Sequence, residues 1–323
     1  MNTLTANLHF LMVAFYRPTP TRHKILMEAK SFPSDYYAIE SQVKFHGYDP
    51  AKSIIQIAPR PNEHTLRTED VLKTIEEEGD SVALVLFSGV QYYTGQFFEL
   101  EKIATAGKAK GCVVGYDLAH AVGNVPLQLH DWNVDFACWC TYKYLNAGPG
   151  GIGGAFVHEK HFKTDLPRFA GWWGTDPSTK FEMTHTFTPI PSALSFRVSN
   201  PNVLATISLL GSLQVFSQTS IHQLRQKSVL LTGYIELLLD ALPSRSKFEI
   251  LTPRDPAQRG CQLSLFFKGG VMMEVFEGLR GGGIICDERK PDVIRISPTP
   301  LYNKFGDVWR FVECLGRILE KVA

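Results

Sequence analysis

Two side chains in this sequence, Lys143 and Asp117, stand where covalent amine chemistry would need them. Lys143 lies in DFACWCTYKYLNAGPGGIGGAFVHE, between an apolar run over 136–140 and a second over 155–157, with a glycine-rich turn behind it. Two buried strands joined by such a loop desolvate an amine, which disfavours its charged form and makes it a nucleophile able to form a Schiff base. Upstream, in VVGYDLAHAVGN, Asp117 closes the apolar run over 112–116 and His120 follows three residues later. A carboxylate at the carboxyl end of a buried strand sits where open α/β sheets bind ligands. A lysine for an aldehyde and an acid for a pyridine nitrogen are what pyridoxal phosphate requires. A plainer reading stays open beside it, in which Asp117 caps a helix and Lys143 is a solvated loop residue.

Other segments offer supporting groups. Thr3 and Thr5 precede an apolar-rich stretch over 7–16 that reads as a helix, so hydroxyls and free backbone amides converge at a helix start, a ready phosphate site or a simple cap. Phe32 follows the strand expected over 24–29 and is able either to stack on a flat ring or to join the core. Ser34 or Asp35 can cap the helix after it. The unbroken apolar strand over 81–87 delivers Ser88 and Gly89 to the same sheet edge as Asp117.

The elements that must position these groups alternate between strand-like and helix-like patterns up to Gly154, which argues for an α/β fold with a mainly parallel sheet flanked by helices. Residues 158–182 are polar and irregular and contain Trp172-Trp173, a pair that suits an interface because an indole N–H wants a partner. Helical stretches over 202–216 and 221–242 follow. Short strands over 248–251, 262–267, 284–287 and 293–297, with helices over 271–279 and 307–322, then make a smaller C-terminal α+β domain. The expected division is a large domain over 1–215 and a small one over 216–323. The length of 323 residues suits two domains.

Composition narrows the partners. With 33 Lys plus Arg against 32 Asp plus Glu, the net charge of +1 gives no basis for a nucleic-acid or membrane-surface partner. No run reaches the ~18 apolar residues of a membrane span, and residues 8–16 lack the flanking features of a signal peptide. The six cysteines lie mostly in apolar runs without paired C-x-x-C spacing, so reduced thiols and a cytoplasmic location are expected. No metal site is expected. Gly148 to Gly153 matches G-x-G-x-x-G, but an apolar strand rather than a helix follows it, so the dinucleotide reading is set aside. His158-Glu159-Lys160-His161 misses the zinc-protease spacing and reads as a solvated turn, and no Gly-x-Ser-x-Gly elbow is present.

Eight blocks in order, LTANLH at 4–9, FPSD at 32–35, FSG at 87–89, DLAHAVGN at 117–124, DFACWCTYKYLNAGPGG at 135–151, GWWG at 171–174, FRVSNP at 196–201 and RISPTPLYN at 295–303, resemble the kynureninases. The resemblance covers essentially the whole chain and implies a fold-type I pyridoxal-phosphate enzyme. It implies that Lys143 is the Schiff-base lysine, that Asp117 partners the pyridine nitrogen, and that His120 lies near the ring. It further implies that Phe32 stacks on that ring, that Leu4, Thr5, Pro33, Ser34, Asp35, Ser88 and Tyr142 complete the cofactor cradle, and that Tyr142 is a candidate proton donor. Trp172 and Asn200 match positions that reach the cofactor across a homodimer interface with shared sites. Arg295 matches the arginine that grips the substrate carboxylate, a task suited to a planar bidentate fork. The implied reaction is hydrolysis of L-kynurenine or 3-hydroxy-L-kynurenine to anthranilate or 3-hydroxyanthranilate plus L-alanine, in tryptophan breakdown and NAD synthesis.

The family pattern carries a further segment before the LT block, implied to supply dimer contacts and groups over the substrate ring. The alternative expectation is therefore a truncated form, weakly active or acting only as a partner subunit. A third reading is another fold-type I lyase or desulfurase, but those acting on sulfur use a reactive loop cysteine, and Cys261, Cys286 and Cys314 sit in strand-like or helical contexts.

Overall fold

In this computed structural model, which describes residues 1–322, the chain divides into two compact units. The first comprises Met1–Gly89, Phe98–Val122 and Leu127–Ser217. Its six strands are β1 (Lys24–Glu28), β2 (Ile54–Ile57), β3 (Val82–Ser88), β4 (Val113–Asp117), β5 (Phe136–Trp139) and β6 (Gly154–Val157), in the order β2-β1-β3-β4-β5-β6. All neighbours are parallel except β5 and β6, which close the sheet as an antiparallel pair. Its helices are α1 (Leu4–Phe15), α2 (Pro33–Phe45), the single turn α3 (Pro50–Ser53), α4 (Thr68–Glu78), α5 (Leu100–Ala109) and α6 (Val203–Phe216).

The period-2 alternation of a strand sends neighbouring side chains to opposite faces, and both faces here are covered. Ile25, Met27, Leu84 and Leu86 join one core with Leu8, Leu11, Met12 and Phe15 of α1 and Ile39 of α2. Val85 and Val114 face the other way, toward Gly107 of α5, where a side-chain Cβ would come within 2.8 Å of Val114. The parallel register sets Ser88 beside Asp117 and Asp117 beside Cys138, so the carboxyl ends of β3, β4 and β5 finish at one level.

The second unit runs from Gln218 onward and includes two excursions of the earlier chain, Val90–Phe97 and Gly123–Pro126. It contains α7 (Ile221–Asp240), β7 (Phe248–Ile250), β8 (Leu263–Phe267), α8 (Met272–Gly281), β9 (Asp287–Arg289), β10 (Val293–Ile296) and α9 (Phe305–Leu319). The sheet, β7-β8-β10-β9, is antiparallel throughout. Leu231, Ile235, Phe267, Val275 and Leu315 are among the residues that bury the helices on it.

Several local expectations are corrected. The first helix starts at Leu4, not at residue 7, so Thr5 lies inside its first turn and Thr3, at the cap position, makes no side-chain cap. Neither Ser34 nor Asp35 caps α2: Pro33 takes the first helical position, which its fixed φ suits, and Phe32 becomes the cap residue. The strand expected over 284–287 forms at Asp287–Arg289 instead, because the polar run there pairs with β10 while Ile285 is left exposed. His158 to His161 is no solvated turn. Lys160 and His161 both bond the buried carboxylate of Asp135, at 2.9 and 2.8 Å.

Candidate active site

The carboxyl edge of the first sheet gathers Lys143, His120, Asp117, Asp35, Phe32, Ser88 and one residue the sequence reading passed over, Glu28. Lys143 sits in the turn after β5, its Nζ 3.0 Å from Nε2 of His120 and 5.7 Å from the centre of the Phe32 ring. The lysine is half-buried rather than sealed between strands, so the desolvation expected from the flanking apolar runs is partial. His120 is delivered by the turn that Asp117 organises: the backbone N–H of Ala119 donates to Asp117 Oδ1 at 2.7 Å. On the backbone side, Gly89 N–H donates to the Asp117 carbonyl, also at 2.7 Å. A Cβ at Gly89 would meet Leu118 and Ala121 within 2.8 Å, so glycine permits this close approach.

Asp117 and Asp35 are both buried and share a hydrogen bond. Burial pushes both carboxyls up, and at hydrogen-bond distance the two cannot both ionise readily, so the pair shares a proton. Lys143 is the cation that favours the pair's remaining charge. Oδ1 of Asp35 is buried with no hydrogen-bond partner in the protein.

Glu28 ends β1 and is buried, its Oε1 accepting the Ser88 hydroxyl at 2.6 Å while its carboxylate also takes the Ser88 N–H at 3.3 Å. Burial pushes this carboxyl up to about 7, the Ser88 bonds oppose the shift, and the charge of Asp117 adds to it. A glutamate at the end of KILME looks like a solvated strand terminus. It is buried instead because β3 brings Ser88 beside it, and no local pattern in the sequence signals this.

The remaining candidates fall into three places. Leu4 is buried at the start of α1, and Thr5 Oγ1 lies 2.8 Å from Ser34 Oγ, so the N-termini of α1 and α2 meet through two hydroxyls with Pro33 beside them. Tyr142 is exposed beside Lys143, and burial of its hydroxyl, with Cys140 adjacent, pushes it up to about 12. Trp172 is exposed, donates its indole N–H to the Lys180 carbonyl at 3.1 Å and has the Lys180 ammonium over its ring, and Asn200 is exposed. Arg295 belongs to the second unit, on β10. There its guanidinium bonds the Tyr92 carbonyl at 2.6 Å and pairs with Asp287. Among the described residues no cluster of His, Cys, Asp and Glu suits a metal, and no helix is long and apolar enough to cross a membrane.

Known structures share this architecture. A cysteine desulfurase from Thermococcus onnurineus superposes with a TM-score of 0.81 at 16% identity, over 99% of this chain and 78% of that one. A form of the lyase C-DES with glycine covalently linked to its PLP cofactor gives 0.78 at 17% identity, over 98% and 79%. The fold is that of the fold-type I pyridoxal-phosphate enzymes. Sequence comparison is more specific: residues 224–315 match the kynureninase C-terminal domain. The kynureninase of Nematostella vectensis is 58% identical over all of this chain and 71% of its own length, and that of Homo sapiens is 53% identical over 99% and 70%. The chain belongs to the kynureninase family.

The residues present fit pyridoxal phosphate on two observations of this structure. Asp117 is a buried carboxylate positioned to hold a positive nitrogen, and the orphaned Oδ1 of Asp35 lies in the same pair, awaiting a donor. Lys143, the only amine on this cluster in the interactions described, stands over the ring of Phe32.

Proposed function

We propose that this chain hydrolyses L-kynurenine and 3-hydroxy-L-kynurenine to anthranilate or 3-hydroxyanthranilate and L-alanine with pyridoxal phosphate. The observation that carries the reading is the grouping of Lys143, His120 and the Asp35–Asp117 pair at the carboxyl edge of the sheet, in a chain of this family. When bound, pyridoxal phosphate supplies an aldehyde for an amine and a ring that delocalises the electron pair left when a bond at the substrate α-carbon breaks. Lys143 offers the amine, and its Nζ, once free, moves a proton at that α-carbon, with His120 Nε2 placed to take or return a proton at Nζ. Asp117 stays ionised because Asp35 carries the pair's proton, and so holds a protonated pyridine nitrogen by charge. Phe32 offers a ring face. Thr5, Ser34 and the free amides of the two helix starts suit a phosphate, with Leu4 and Pro33 fixing those starts and Ser88 bordering the ring. Tyr142, protonated at neutral pH, is the proposed donor to the carbon released by C–C cleavage. Arg295 is the proposed carboxylate ligand, for which its fork is suited.

The reading extends to a homodimer in which Trp172 and Asn200 reach the partner's site, and to a cofactor domain over 1–215 with a small domain over 216–323. It extends also to a cytoplasmic place in tryptophan catabolism feeding pyridine-nucleotide synthesis; six free cysteines are in keeping with a reducing compartment. A desulfurase reading finds no support in the thiols, since burial pushes Cys261 and Cys286 up to about 11 and a thiolate nucleophile needs the opposite. The test is anthranilate fluorescence from L-kynurenine after loading with pyridoxal phosphate. Release of anthranilate that disappears in Lys143→Ala supports the proposal, and a loaded protein that releases none overturns it.

A further inference from the structure

One buried carboxyl at the carboxyl edge of the sheet, Glu28, has no part in the function proposed above. Glu28 is bonded to Ser88 through both the hydroxyl at 2.6 Å and the backbone N–H at 3.3 Å. A serine hydroxyl has one proton to donate. While Glu28 is ionised it claims that proton, and Ser88 Oγ can only accept from whatever lies above it. Once Glu28 is protonated it becomes the donor, and the Ser88 proton is released to point outward. The polarity of Ser88 is therefore set one residue deeper.

We propose that Glu28 is a positioning residue of the lysine site, which by gaining a proton turns Ser88 from an acceptor into a donor and so couples cofactor binding to proton uptake. This rests on the function proposed above. The direction follows from the chemistry of the ligand. A pyridoxal phosphate offers acceptors in its phenolic and phosphate oxygens, and its one ring donor, the pyridinium N–H, is met by Asp117; a Ser88 that donates is the better partner. The charged groups facing Glu28 act the same way. Asp117 of β4 disfavours its ionised form, Glu28 in turn disfavours ionisation of Asp35 on α2, Lys143 favours ionisation of that aspartate pair, and Lys30, two residues beyond Glu28, is exposed. An acceptor oxygen placed against Ser88 can take its hydroxyl proton only when Glu28 is protonated and no longer claims it, so binding takes up a proton. The free carboxyl titrates near neutrality, at about 7. The sign is that of a group raised by folding: its contribution to stability is full below the unfolded value of about 4.3 and is lost as pH rises through about 7.

The experiment measures the dissociation constant of pyridoxal phosphate by quenching of tryptophan fluorescence between about pH 6 and about pH 8.5, and proton uptake by calorimetry in two buffers of different ionisation enthalpy. Wild type is expected to lose affinity above about pH 7 more steeply than Glu28→Gln, the ratio of the two changing by up to about tenfold per pH unit because one proton is linked. Calorimetry should find the extra proton in wild type alone. Ser88→Ala removes the other half of the switch and should show the flatter profile even if Glu28→Gln fails to fold. Parallel pH profiles for wild type and for whichever of the two variants folds, with equal proton uptake, overturn the role of Glu28 and leave the function intact. A chain that takes up no pyridoxal phosphate at any pH overturns both.

Discussion

At the residue scale, the two aspartates of the candidate site make opposite demands on substitution. The function proposed above puts the shared proton of the pair on Asp35 and the charge on Asp117, facing the pyridine nitrogen. An amide at 35 still donates to Asp117, whereas an amide at 117 removes the anion that would face the pyridine nitrogen. Asp35→Asn is therefore expected to keep turnover within about tenfold of wild type, and Asp117→Asn to lower it by on the order of a hundredfold or more, as removal of a preorganised charge partner does. Steady-state rates of both variants at saturating cofactor check this, and equal losses would mean that the proton is not localised on Asp35. Lys143→Arg should abolish the visible absorption of the cofactor-loaded protein, because a guanidinium does not deprotonate. Much of this was legible in sequence: a lysine between apolar runs and an aspartate at a strand end are local patterns. Proton sharing was not, since it depends on the first turn of α2 being carried to β4, a long-range event that no spacing encodes. Glu28 is locally unremarkable too, because the groups that set its environment, Ser88 and Asp117, come from distant strands.

At the scale of elements, the strands were easiest to read, because apolar runs such as Val82–Phe87 are buried on both faces, and the boundaries were hardest. In sequence Leu4 and Thr5 look like a preamble to α1. In fact Leu4 packs into the core and fixes the first turn, without a side-chain cap at Thr3. The tie between elements also went unseen. Asp135, 1% exposed, accepts from Lys108 of α5 at 2.7 Å, from Val114 N–H of β4 at 2.8 Å, and from Lys160 and His161 after β6. Burial alone would raise its pKa, but the bonds from His161 and Lys108 prevail and hold the carboxyl well below the usual carboxylate range. A depressed folded pKa gives stability that is full above the unfolded value and is lost as pH falls through the folded one. Asp135→Asn is accordingly expected to cost about 3 kcal/mol near neutrality, the gap to wild type narrowing below about pH 4. Urea denaturation at the two pH values checks it, and a gap that does not change with pH would assign the loss to packing instead of charge.

For the whole molecule, the surface of the first unit carries one element out of keeping with a lone chain. The helix α6 has no buried residue, and Val203, Leu204, Ile207, Leu210, Leu213 and Val215 are exposed along it. Ser208 and Ser212 fasten it to the carbonyls of Ala147 and Leu145, in the loop that follows Lys143, so this apolar surface borders the candidate site. Apolar surface of that extent favours association. If the associated form is the proposed C2 dimer, Trp172 of each chain serves the Lys143 of the other, and the two residues belong to different protomers of one site. Lys143→Ala and Trp172→Ala should then each be weakly active or inactive alone. After being unfolded together and refolded as a mixture, half of the dimers are mixed, and each has one site with both residues intact. The mixture should recover about a quarter of the wild-type rate. Size-exclusion chromatography with anthranilate fluorescence measures both the dimer and the recovery. A mixture no more active than the mean of its two components, in a dimer that demonstrably exchanges subunits, would place Trp172 and Lys143 in the same chain's site.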